Sequence, residues 1–188
     1  MKLFKKLAAA ALAAVLALSM VGCGAGGTGS VLDLKNEVLN LIEDDYNTKD
    51  KVATHTTAMD AAAAKLIEGA AKAGAEEGNK DTVKALLKKQ TFEGEGGYIA
   101  IVAPYGQLST ELMQYLYIEG MKETLEYAIE NIASDEYYEH DEYYEHNDMV
   151  VKIGSPVIGE DDPIEIGAAT GKIKGKNYLV LLVQNAKA

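Results

Sequence analysis

After Ser30, apolar residues return at helical spacing. Leu34, Val38, Leu41 and Ile42 share one face, which predicts a helix that opens at Ser30–Asp33 and stops near Tyr46-Asn47. Thr57-x-x-Asp60 has the form of a capping box and opens a second helix, with Met59, Ala63, Leu66, Ile67 and Ala70 along one stripe. The Ala-rich body of that helix permits close packing, and Gly74 and Gly78 mark its end. A short helix is expected at Asp81–Gln90, with Val83, Leu86 and Leu87 inward. The period then changes. Tyr98–Ala103 is a short apolar run between glycines and Pro104, the pattern of a buried strand, and Pro104–Gln107 reads as a turn. Ser109 is placed to cap a helix carrying Leu112, Met113 and Leu116. Gly120 interrupts that pattern, and Met121, Leu125, Ala128, Ile129 and Ile132 resume it. Met149–Ile153 reads as a strand, and Ile164–Gly171 and Tyr178–Val183 as a hairpin around a Gly171–Gly175 turn. The expected fold class is α+β, several helices packed on a small antiparallel sheet, in a single domain over residues 31–188.

The start of the chain has a different pattern. Lys2, Lys5 and Lys6 precede an Ala/Leu run from Leu7 to Met20, shorter than the roughly 20 apolar residues a membrane helix needs. Met20-Val21-Gly22-Cys23 resembles a bacterial lipobox, with Met where that motif usually has Leu. The resemblance implies a signal peptide over residues 1–22, cleavage before Cys23, and a diacylglyceryl group on the Cys23 thiol. Cys23 is the only Cys in the chain, which leaves no internal disulfide and no Cys-based zinc site. Gly24–Ser30 has the composition of a flexible tether, so residues 23–30 join the lipid anchor to the domain. The expected partner through Cys23 is a lipid bilayer, and the expected location is the extracytoplasmic face of a bacterial cell membrane.

Charge narrows the function classes. All 18 basic residues are Lys, against 29 acids, for a formal net charge of -11. Nucleic-acid binding needs a basic footprint that this chain does not have. Cleavage before Cys23 takes three Lys and no acid, so the charge falls from -11 to -14. A domain so acidic is expected to be repelled by anionic headgroups and held by its lipid alone.

Three segments resemble the bacterial CAP, or SCP-like, extracellular family. KNEVLNLIEDDYN with MDAAAAKLIEGAAKAG is similar to its first two helices. APYGQLSTELMQYLYIEGMKETL is similar to its stretch from an Ala-Tyr-Gly turn to a Gly-His-Arg motif. IEIGAATGKIKGKNYLVLLVQ is similar to its closing hairpin. The resemblance implies a CAP-like α/β/α sandwich. It also implies a cleft with paired His and Glu, and here the chain departs from it. Gly120-Met121 stands where the family has Gly-His, and the Glu-Asn-Ile-Ala segment appears as Tyr98–Ala103 without a Glu. No Ser-His-Thr-like segment lies between the second helix and that strand, so the other cleft His is missing. Met, Tyr and Ile supply neither metal ligands nor proton-transfer groups.

The remaining chemistry gathers in the tandem DEYYEH repeat at 135–146. His140 and His146, with Glu139 and Glu145, are weak metal candidates. Their six-residue spacing matches neither a helical pair nor the common zinc patterns. Tyr137, Tyr138, Tyr143 and Tyr144 offer large amphipathic contact area, as in a recognition loop for a cell-wall, extracellular protein or carbohydrate ligand. A plain solvated acidic loop is the competing reading. His55 reads as a loop or cap residue. No catalytic residue and no cofactor is expected. The chain reads as a membrane-anchored, non-catalytic binding or interaction module. The alternative is an extracytoplasmic hydrolase or metal-dependent enzyme on the same scaffold.

Overall fold

The computed structural model describes residues 31–73, 97–106, 108, 110–130 and 150–187. The signal and tether segments, the helix expected at Asp81–Gln90, Ser109, Met149 and the DEYYEH repeat lie outside them. Among the described residues the elements run α1 (Val31–Thr48), β1 (Ala53–His55), α2 (Thr57–Lys72), β2 (Tyr98–Tyr105), α3 (Glu111–Glu130), β3 (Val150–Ile153), β4 (Ile164–Ile173) and β5 (Lys176–Asn185). The strands form one sheet in the order β1-β4-β5-β2-β3. The fold is α+β, as the sequence predicts.

The sheet separates two apolar layers. On one face Leu34, Val38, Leu39 and Ile42 of α1 and Tyr117, Met121 and Leu125 of α3 pack on Ile99, Ile101, Ile164, Ile166, Leu179, Leu181 and Val183. On the other, the α2 stripe Met59, Ala63, Leu66, Ile67 and Ala70 packs on Ala100, Val102, Val151, Val180 and Leu182. Helices therefore cover both faces. This explains the unbroken apolar runs of β2 and β5, in which alternate side chains feed opposite cores.

Several expectations are corrected. The sheet is mixed rather than antiparallel, because β1 pairs in parallel with β4, Ala53 opposite Ile164 and His55 opposite Ile166. A three-residue strand is too short to show a period of two. Strand β2 continues through Pro104 and Tyr105, which pair with Tyr178 and Asn177. Among the described residues β3 pairs with β2 only as far as Ile101. The caps are also displaced. Thr56, not Thr57, accepts the Met59 N–H of α2 at 3.2 Å, and Thr110 accepts the Met113 N–H of α3 at 3.2 Å. Asp60 serves other partners, described below.

Gly120 does not interrupt α3: it is buried within the helix, and Thr124 Oγ1 donates to its carbonyl at 2.7 Å. Leu112 faces solvent rather than the core, whereas Tyr117 and Ile118 face inward. The hairpin strands extend past Gly171 to a two-residue turn at Lys174-Gly175, with φ 49° and 85°, the left-handed pair of a type I′ turn.

Helix α2 lies close on β4. A Cβ at Gly167 would stand 2.4 Å from the Met59 backbone carbonyl carbon and Cβ, and one at Gly171 would stand 2.6 Å from Ile67 Cγ2. The two contacts advance together, so α2 runs in the same direction as β4.

Candidate functional site

Every functional residue singled out in the sequence lies outside the described residues: Cys23, Tyr137, Tyr138, Tyr143, Tyr144, His140, His146, Glu139 and Glu145. Among the described residues, no group of three or more His, Cys, Asp or Glu converges in a way that could hold a metal ion. The positions matched to the family cleft are interior ones. Gly120 and Met121 are buried in α3, and Tyr98–Ala103 is buried along its whole length. A side chain at Met121 reaches the core between α1 and α3, not solvent.

A polar cluster that links several elements centres on Asp60, in the first turn of α2. Its Oδ1 accepts the Ala168 N–H of β4 at 2.9 Å. Its Oδ2 accepts from Lys35 Nζ of α1 and lies 3.0 Å from His55 Nε2 of β1. The His55 ring nitrogen is buried and sits off the direction of a proper hydrogen bond, so this contact is a close charge–dipole or ionic one. The backbone N–H of His55 donates to Glu43 Oε1 at 2.8 Å. One carboxylate thus ties four elements together around the short edge strand. Burial works against the Asp60 charge, but Lys35, the Ala168 N–H and His55 outweigh it and hold its pKa below the ordinary value. A carboxylate so fully occupied suits a structural clamp better than a proton acceptor. The sequence offers no local signal for this cluster, because Lys35 and Ala168 lie 25 and 108 residues from Asp60.

A second polar seam joins α1 to α3. Lys49 Nζ contacts Asp45 Oδ2 at 2.7 Å and also Glu126 Oε1. Lys122 Nζ lies 2.9 Å from Glu119 Oε2 and 3.8 Å from Asp45 Oδ1. Burial opposes the Lys49 charge, yet Asp45 and Glu126 together raise its pKa. Beside this seam, burial and the charge of Glu126 raise the pKa of Tyr46. Asp45 meets Lys122 and Lys49 meets Glu126, so the contacts advance in step and the two helices run parallel.

No helix among the described residues is long and apolar enough to cross a membrane. No family model matches the chain, and no curated protein or solved structure is significantly similar to it.

Proposed function

We propose that the chain is a bacterial lipoprotein, anchored through an acylated Cys23 on the extracytoplasmic face of the cell membrane. Its domain is CAP-like and works by binding rather than catalysis. The observation that carries the anchor is the order of the N-terminal segments: three Lys, an apolar run too short to span, small residues, then the only Cys. Helices on both faces of the sheet support the CAP-like reading, as does the closing hairpin at β4–β5. The non-catalytic reading is supported by the burial of Met121 and of Tyr98–Ala103, where the resemblance would put cleft His and Glu. The Tyr-rich repeat at 135–146 supplies the aromatic and acidic groups of a recognition loop, for a cell-wall, extracellular protein or carbohydrate ligand.

Cell fractionation with Cys23→Ala tests the anchor. The substituted protein is expected to leave the membrane fraction, and an unchanged membrane fraction would refute lipidation as the means of attachment. A hydrolytic activity lost on chelation would instead favour the enzymatic alternative.

A further inference from the structure

The turn end of the β4–β5 hairpin gathers lysines. Lys172, Lys174 and Lys176 lie at or beside the Lys174-Gly175 turn. Helix α2 runs along β4 toward the same end, with Met59 against Gly167 and Ile67 against Gly171, so exposed Lys72 arrives there too. Strand β2 ends beside it, Tyr105 opposite Asn177, and the chain then turns into α3. The first turns of α3 expose Leu112 at 65% and Tyr115 at 58%. Partly buried Leu108 and Leu116 flank them. Among the described residues the acids near this end are Asp33 at the start of α1, Glu68, which pairs with Lys72 at 3.8 Å, Glu111, and Glu119, whose carboxylate interacts with Tyr115. At the opposite end of the sheet, Glu160, Asp161 and Asp162 surround Lys51 and Lys187.

The chain enters the domain at the lysine end. Helix α1 runs parallel to α3 and delivers the chain to β1 at the Ile164 end of the sheet. Its first residue, Val31, therefore lies at the hairpin-turn end beside the start of α3. Seven residues separate Val31 from Cys23, a span of at most about 28 Å when fully extended. Helix α1 has 18 residues, so the acidic end stands about 27 Å farther along its axis. A lipid on Cys23 thus brings one end of the domain to the bilayer, and that end carries lysines with an exposed Leu and Tyr. Lysines attract headgroup phosphates, and Tyr suits the membrane–water boundary, with an apolar ring and a polar tip.

We propose that this end docks on the phospholipid surface. Lys172, Lys174 and Lys176 would face headgroup phosphates, and Leu112 and Tyr115 would enter the interface, so that the acidic end points outward. The proposal rests on the lipid-anchor reading and replaces the expectation that the lipid alone holds the domain.

The test bypasses cellular lipidation. The chain from Cys23 is coupled through its only thiol to a maleimide lipid in vesicles of phosphatidylcholine with phosphatidylglycerol. The protein has no Trp, so Tyr115→Trp and Val157→Trp are single reporters, the second at the outward end and 76% exposed. Brominated lipids are expected to quench Tyr115→Trp several-fold more than Val157→Trp. Replacing Lys172, Lys174 and Lys176 by Glu should remove that difference, with circular dichroism unchanged. Quenching at neither position, equal quenching at both, or a difference that survives the lysine replacements would overturn the proposal. Mass spectrometry of Cys23 in protein extracted from cells separately shows whether the natural anchor exists.

Discussion

Tyr117 donates its hydroxyl hydrogen to the carbonyl of Ala103 at 3.1 Å, inside the layer between α3 and the sheet. Its ring meets that of Tyr105 edge-on, with centroids 6.2 Å apart. Burial, and then the neighbouring Tyr105, keep the Tyr117 hydroxyl protonated well past its ordinary range, so it remains a donor. Tyr117→Phe should cost about 1–2 kcal/mol, because it removes a buried hydrogen bond while keeping the ring. Tyr117→Ala should cost about 3–5 kcal/mol by opening a cavity. Urea denaturation of both variants checks the ratio, and equal costs would contradict the assignment.

Gly167 and Gly171 predict an asymmetric response to one added methyl group. At Gly167 the new Cβ meets Met59 backbone, which cannot give without moving α2, and Gly167→Ala should cost about 3 kcal/mol. At Gly171 it meets the Cγ2 branch of Ile67, a side-chain methyl that helical χ1 preference largely holds in place but that is not backbone, and the cost should be smaller, about 2 kcal/mol. Thermal melts of the two variants would show it, and a reversed order would mean that α2 does not rest on β4 as described.

Asp60 predicts a pH dependence. Its folded-state pKa lies below the ordinary 3.8. The stabilisation is therefore fully present above that value and is lost as pH falls through the folded-state one. Asp60→Asn should cost about 2 kcal/mol at neutral pH, since a charge-assisted bond to Lys35 goes with it. Its stability should also fall less steeply below pH 4 than that of the parent. Denaturation curves at neutral and acid pH measure both effects.

The DEYYEH repeat should not hold a transition metal tightly. His140 and His146 can meet only if the segment between them folds back, and Asp141, Glu142 and Glu145 repel one another there. Calorimetric titration of the full chain with zinc should show weak binding at most. Sub-micromolar affinity abolished by His140→Ala or His146→Ala would show the reverse.

The legible parts of the fold are those in which one side chain decides one position. The α2 stripe of Met59, Ala63, Leu66, Ile67 and Ala70 is buried as its spacing predicts, because a helix on a sheet hides a single narrow face. In α1, Leu39 goes deeper than Leu41, since α1 packs against both the sheet and α3 and its buried face is turned toward that groove. In α3, Leu112 is apolar and exposed, and no periodicity distinguishes an inward Leu from one left outside. The Asp60 cluster was illegible for another reason. Its partners come from α1, β1 and β4, and only the assembled sheet brings them together.

Glu43 has a further effect at the margin of the sheet. The Thr56 N–H bonds to Ile166 of β4, and Ile164 bonds back to Val52, so the N–H of His55 is directed away from β4. That donor is the kind of group onto which a foreign extended segment can add, and the Glu43 carboxylate occupies it from within the same molecule. Strand β1 is also only three residues long. This side of the protein therefore offers little template for edge-to-edge association with other copies.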